Sequence, residues 1–269
     1  MSGLRQLRKS DGFTLVEMVM VIIILGILVL GVSSFVIIGT RIFVESTSVD
    51  QVLSQSRFAI ERMTREIRNA VPNSLRVTNT ATYQCMEFMP IQGSASYIDL
   101  PIAPEAASET GSIITPSQGI NNTHRMLVYP LTPAHIYEAD PTSSEGRLLD
   151  IEKVEGNTVT FDRAVRISEA SPRNRYFMVN NAVSYCFFTN GDVRRYEGYS
   201  MFNTAQPAPA DMGDGVLMAE GVVTGTGTWP INYTPGSLTN NAVVQLTPTF
   251  MVNGQEFQYQ HQVQVVNVP

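Results

Sequence analysis

Apolar and polar positions are distributed very unevenly along this chain. Residues 13–38 read FTLVEMVMVIIILGILVLGVSSFVII, in which 20 of 26 positions are apolar, and no Lys or Arg occurs between Lys9 and Arg41. A helix of that length measures about 39 Å, more than the hydrocarbon core of a bilayer requires. Soluble core helices are seldom apolar on every side, so the run predicts a membrane-spanning segment. From Val49 onward the pattern changes. Val49, Val52, Leu53, Ile60, Met63, Ile67 and Val71, with small Ser56, recur at spacings of three and four and form one stripe. Charges fill the other faces, with Arg41/Glu45, Arg57/Glu61, Glu61/Arg65 and Arg62/Glu66 placed four apart. Pro72 disfavours helical geometry at Val71. The expected element is one helix over 13–71, transmembrane over 13–38 and an amphipathic stem over 39–71.

Beyond Pro72 the period shortens to that of strands. Residues 83–89, 125–131, 147–154, 158–165, 182–188 and 192–199 are strand candidates, and Glu155-Gly156-Asn157 and Asn190-Gly191 are hairpin signals. A last pair, 243–252 and 256–268, surrounds Asn253-Gly254, with Phe257, Tyr259, His261, Val263 and Val265 on one face of its second strand. Pro248 marks an edge or a bulge in the first. Residues 103–124 and 200–241 are rich in Pro, Gly, Ser, Thr and Asn and read as long loops. The fold class is α+β: a long N-terminal helix whose stem packs on a β-rich domain over 72–269, with no repeat and no inter-domain linker.

Charge sets direction and excludes a class of partner. Arg5, Arg8 and Lys9 against Asp11 give residues 1–12 a charge of +2, so the formal −6 of the whole chain leaves −8 on the remainder. The basic flank stays cytoplasmic and the long C-terminal part is exported. An acidic body lacks the basic face that nucleic-acid binding needs.

Two competing readings of the apolar run fail. A cleavable secretory signal has an apolar stretch of about 7–15 residues ending at small residues, whereas this stretch is longer and no A-x-A pattern ends it. A plain anchor has no use for Glu17, because a carboxylate inside an apolar helix is costly and marks function. The run Lys9-Ser10-Asp11-Gly12-Phe13-Thr14-Leu15-Val16-Glu17-Met18 resembles the processing site of type IV prepilins and type II secretion pseudopilins. The resemblance implies residues 1–12 as a leader, cleaved by a prepilin peptidase between Gly12 and Phe13, with methylation of the Phe13 amine. It also implies major and minor pilins and an assembly platform in the inner membrane as partners. Glu17 has a reading of its own: the carboxylate of one subunit can neutralise the Phe13 amine of another, so that both charges are paired as they leave water. Its place in the first turn also suits the positive end of the helix dipole. Gly26, Gly31 and Gly39 suit close helix packing or local melting, and the proline of many major pilins is absent from this span, with Ser33 and Ser34 there instead.

The C-terminal stretches VNNAVSYCFFTNGDVRRYEGY and QVQVVNVP are similar to minor prepilins of the mannose-sensitive haemagglutinin (MSHA) pilus and to the larger J-type pseudopilins of type II secretion. A minor subunit of such a pilus is the first expectation. A secretion pseudopilin and a tip adhesin acting through the 103–124 and 200–241 loops are the alternatives.

The two cysteines, Cys85 and Cys186, both follow the apolar run. In a periplasmic domain they can form a disulfide or remain as two buried thiols. No enzyme motif is present. His124, His135 and His261 lack metal-ligand spacing, and there is no H-E-x-x-H, C-x-x-C, G-x-S-x-G or P-loop. His261, on an apolar strand face, reads as a core or edge histidine. No cofactor is expected. Asp211, Asp214 and Glu220 offer oxygens of the kind calcium takes, which some pseudopilins bind in loops, but their spacing fits no calcium motif and a solvated acidic loop accounts for them equally. Trp229 and Tyr233 either pin their loop to the core or form a contact patch.

Overall fold

The computed structural model describes residues 12–120, 123–140, 142–225, 227–237 and 240–265. Helix α1 (Leu15–Arg68) is continuous, and the β-rich domain follows it. The start is set by a cap. The Thr14 hydroxyl accepts the Glu17 backbone N–H at 3.3 Å, and the Thr14 carbonyl accepts that of Met18 at 3.2 Å. Thr14-Leu15-Val16-Glu17 has the Thr-x-x-Glu spacing of a capping box, so the helix begins two residues later than the apolar run. It also ends earlier than Val71. Pro72 turns Val71 away from helix, and the chain pairs instead with residues 89–91: the Val71 N–H donates to the Met89 carbonyl at 2.8 Å, and that of Ile91 to Asn69 at 2.9 Å.

The chain divides into two compact units, residues 1–51 and 52–269. In the first, Phe13 and the apolar side chains of α1 from Leu15 through Phe35 to Val44 are uncovered. Its most apolar 18-residue window has no buried residue, and it is long enough to cross a membrane. In the second, the end of α1 buries Ser56, Ala59, Ile60, Met63, Thr64 and Ile67. Ala59 and Thr64 widen the expected stripe. Of the charge pairs expected along the helix, the one that closes among the described residues is Arg62–Glu66, at 3.0 Å. Spacing by four permits such pairs, but each contributes only a few tenths of a kcal/mol at an exposed site.

The strands are β1 (Arg76–Asn79) and β2 (Tyr83–Phe88), then β3 (Gly93–Asp99), β4 (Ser108–Ile113), β5 (Arg125–Val128), β6 (Glu145–Gly146), β7 (Leu148–Glu155), β8 (Thr158–Ile167) and β9 (Arg175–Val179). After these come β10 (Val183–Phe188), β11 (Val193–Glu197), β12 (Val216–Ala219), β13 (Val222–Val223), β14 (Ile231–Thr234), β15 (Ala242–Leu246), β16 (Thr249–Val252), β17 (Gln255–Gln258) and β18 (His261–Val265). Among the described residues they form a five-stranded sheet in the order β1-β2-β10-β11-β12, a seven-stranded sheet in the order β4-β3-β9-β5-β7-β8-β6, and three-stranded sheets β13-β16-β17 and β14-β15-β18.

The five-stranded sheet is the platform. On one face Met86, Phe88, Tyr185, Phe187 and Val193 meet Ala59, Met63 and Ile67 of α1. The two small sheets join the same cluster through Val222, Phe250, Val244 and Val263. Alternation turns Cys85, Cys186 and Tyr196 to the opposite face, where they pack with Leu127, Tyr137 and Phe177.

The seven-stranded sheet lies entirely within residues 93–179, between β2 and β10. Because β8 pairs with β4 as well as with β7, the sheet closes on itself. Register shifts in the β3–β4, β4–β8 and β7–β8 pairs supply the local bends that closure needs. Its interior is filled by Tyr97, Ile113, Met126, Phe161, Val165 and Tyr176, among others. This barrel was not foreseen in the sequence, and it gives the expected 103–124 loop a strand, β4.

Two further expectations are corrected. The 200–241 loop contains β12, β13 and β14. The expected final hairpin is two half-hairpins: after Leu246 the first strand breaks at Thr247-Pro248, the second breaks at Tyr259-Gln260, and the halves enter different sheets. Proline cannot donate to the ladder, which is why the break falls there. The inner halves, β16 and β17, turn at Asn253 (φ 50°) and Gly254 (φ 80°) as their sequence requires. Residues 266–268 of the expected strand lie outside the described residues.

Candidate processing and assembly site

Gly12, Phe13 and Thr14 precede the first turn of α1, and the rest of the expected leader lies outside the described residues. Phe13 is 81% exposed, and Glu17 is exposed one turn into the helix. No described heavy atom comes within 4 Å of the place a side-chain Cβ on Gly12 would occupy. The fold therefore does not demand a glycine there, and a reason for it has to be sought outside this chain. Gly26, Gly31 and Gly39 are equally open, so each leaves a bare stretch of helix backbone that another helix can approach. In a single chain, Phe13 and Glu17 share one helix end, with the Glu17 carboxylate next to the orphan N–H groups of the first turn.

Cys85 and Cys186 are direct cross-strand partners in β2 and β10. Both are fully buried and joined, with Sγ–Sγ 2.01 Å and Cα–Cα 4.1 Å. The separation is that of a closely spaced, non-hydrogen-bonded antiparallel pair. The bond ties the strand entering the barrel to the strand leaving it.

On the same face as Cys85, two residues along β2, is Glu87, which is fully buried. It pairs with Arg76, and its carboxylate accepts the Tyr199 hydroxyl at 2.8 Å. Arg76 also donates to the carbonyls of Asn203 and Thr204 at 2.9 Å and lies 3.9 Å over the Tyr137 ring. The Tyr199 hydroxyl is 2.7 Å from that of Ser184, which accepts from Gln206 at 3.2 Å. Burial, reinforced by the Glu87 charge, drives the Tyr199 phenol upward and keeps it protonated as a donor. Five polar side chains are thereby spent on holding residues 199–206 against the sheet. A carboxylate within the apolar strand Tyr83-Gln84-Cys85-Met86-Glu87-Phe88 is the signal by which the sequence could have shown this cluster.

On the other face, Arg195 of β11 reaches Glu66 of α1 at 2.9 Å and Glu197 at 2.8 Å. Burial alone would raise the Glu66 carboxyl, but hydrogen bonds from Arg195 and Arg62 outweigh it and hold the group below the ordinary carboxylate range.

The remaining candidates are separated. Among the described residues no three His, Cys, Asp or Glu side chains gather as they would around a metal, and Asp211, Asp214 and Glu220 are exposed and apart from any such group. His135 accepts the Leu131 backbone N–H at 3.2 Å. His261 keeps the alternation with buried Val263 and Val265, but it is exposed at the start of β18, an edge strand, and so is the edge histidine of the two alternatives. Tyr233 packs on the platform core, and Trp229 is half-buried.

Residues 7–33 match the family model described as the prokaryotic N-terminal methylation motif. The chain carries that motif. Neither the comparison with curated proteins nor that with solved structures gave a match. The methylation motif, with the uncovered helix that follows it, supports a type IV pilin or pseudopilin precursor, processing by a prepilin peptidase, and a single-pass membrane anchor.

Proposed function

We propose that this chain is the precursor of a minor pilin of an MSHA-like type IV pilus. A prepilin peptidase cleaves it between Gly12 and Phe13 and methylates the new amine of Phe13. The subunit is held in the inner membrane with Arg5, Arg8 and Lys9 on the cytoplasmic side and its domain in the periplasm, then passes to the assembly platform and into the fibre. It acts as a structural subunit and not as an enzyme. In the fibre, α1 exchanges lipid for the helices of major and minor pilins, and the Glu17 carboxylate of one subunit meets the Phe13 amine of another.

One observation carries the reading: a methylation motif over residues 7–33 takes in the start of a helix, α1, whose apolar side chains there are uncovered on all sides. Such a surface is stable only in lipid or among like helices. A plain anchor would be equally apolar on all sides; the carboxylate of Glu17 in the first turn is what a plain anchor has no use for. The buried Cys85–Cys186 bond fits an oxidising compartment. Mass spectrometry of cell envelopes is expected to find the chain beginning at a methylated Phe13. A chain beginning at Met1 overturns the proposal.

A further inference from the structure

A groove of about 490 Å³ runs beside the end of α1 within the second unit. One wall is a flank of the helix, where Arg57, Glu61, Thr64 and Arg68 follow one another at spacings of three and four, with Arg65 beside them. The other wall is the stretch from Tyr259 to His261, and buried Ile60 with half-buried Tyr259 makes the lining apolar between the charges.

Three features of this groove have no use in the folded chain by itself. The first is charge. Among the described residues none of Arg57, Arg65 and Arg68 closes an ion pair, and Glu61, four residues from both Arg57 and Arg65, closes one with neither. With that carboxylate counted, the groove carries +2 on a body of −8. The second is Thr64, which is 6% exposed and whose hydroxyl has no hydrogen-bond partner. A buried hydroxyl left unpaired costs free energy that a ligand group can recover. The third is main chain. Gln260 lies between β17 and β18, belongs to no ladder, and follows and precedes strands that are each at the edge of a sheet among the described residues. Three consecutive residues line this wall, so the groove meets an edge of the stretch; a strand face would contribute alternate residues only.

We propose that the groove binds an extended segment of another protein in which acidic and apolar residues alternate. The carboxylates pair with the arginines, the apolar side chains cover Ile60 and Tyr259, and the backbone lies along the open edge at Gln260. Length agrees. The helical wall from Arg57 to Arg68 is about 16 Å long, the span of roughly five extended residues. A second copy is a poor occupant, because bodies of −8 repel one another. The clearest alternation of this kind in the chain, Leu149-Asp150-Ile151-Glu152 of β7, is also unavailable, since β7 is paired on both sides by β5 and β8. The inference goes beyond the fibre reading and does not require it.

Titration calorimetry of the full chain in neutral detergent tests it, with the acetylated, amidated peptide Glu-Leu-Asp-Leu-Glu as probe. One site per chain is expected. Gln-Leu-Asn-Leu-Gln and Glu-Ser-Asp-Ser-Glu should each bind about tenfold or more weakly than the probe. Arg65→Glu with Arg68→Glu should lose the probe and take up Lys-Leu-Lys-Leu-Lys, a gain that a misfolded domain cannot show. Thr64→Val should weaken the probe about threefold or more without lowering the thermal midpoint, because the free chain loses only an unpaired hydroxyl. Absence of binding, or equal binding of the neutral peptide, overturns the proposal. Equal binding of the serine peptide reduces the groove to an adventitious anion site and overturns it too. Self-association of the free chain that the probe disperses, followed by sedimentation, assigns the groove to a second copy and likewise overturns it. None of these readouts depends on cleavage after Gly12, so failure here leaves the fibre reading standing.

Discussion

Replacing Cys85 and Cys186 together by alanine probes how the barrel is joined to the platform. The two positions are 101 residues apart, and the segment between them contains the whole closed sheet. In the loop-closure account, a cross-link over that length removes about 16 cal/mol/K from the unfolded chain, or about 4.7 kcal/mol at 25 °C. For a unit of this size that is a fall in Tm of about 10–19 °C. The figure assumes that barrel and platform unfold together. β3 and β9 pair with each other, Gly93 opposite Met178, so a barrel that outlives the platform would itself hold the ends of the loop close. The bond would then contribute much less. Near-UV circular dichroism of the full chain in detergent, oxidised, reduced and as Cys85→Ala/Cys186→Ala, separates these cases. The expected result is one transition, lowered similarly by reduction and by substitution. A single transition that moves by less than about 3 °C refutes the loop-closure reasoning, and two free thiols in the unreduced, denatured protein refute the bond itself.

Other expectations concern the stem and the N-terminus. Glu66→Gln should cost about 1.5–3 kcal/mol at pH 7, because it weakens charged hydrogen bonds to Arg195 and Arg62. Since the folded carboxyl is depressed below its unfolded value, that stability is present above the ordinary carboxyl value of 4.5 and lost as pH falls through the folded one. The gap between wild type and variant, measured by urea unfolding, should therefore narrow below pH 4.5; a constant gap would mean that charge is not the cause. Met63→Ala empties a fully buried site between α1 and the platform and should cost about 2–5 kcal/mol in the same assay; an unchanged midpoint would show that the stem does not dock there. Gly12→Val should leave the precursor at full size on a gel, and a mature-sized product would refute the cleavage position. Glu17→Val should be cleaved normally yet be under-represented in sheared fibres, and normal incorporation would defeat the charge-pair idea.

Some of this architecture was written in local pattern alone. The apolar run over 13–38 needs no tertiary partner to declare itself, because its length and its all-round character state which environments can hold it. The hairpins at Asn190-Gly191 and Asn253-Gly254 depend on backbone conformations that few residues adopt, so they too were legible. Tertiary structure decided what depends on partners distant in sequence. Closure of the barrel needed β4 to find β8 about 50 residues on, and Ser108-Glu109-Thr110-Gly111-Ser112-Ile113 has too few apolar positions to read as a strand without that neighbour. The burial of Glu87 depends on β10 and on residues 199–206, which enclose it only in the folded chain. The last hairpin divides between two sheets because Pro248 removes a ladder donor from a segment whose alternation by itself predicts one strand. Local sequence specifies where the backbone can extend or turn; which edge meets which is settled only by the apolar area that the whole chain can bury at once.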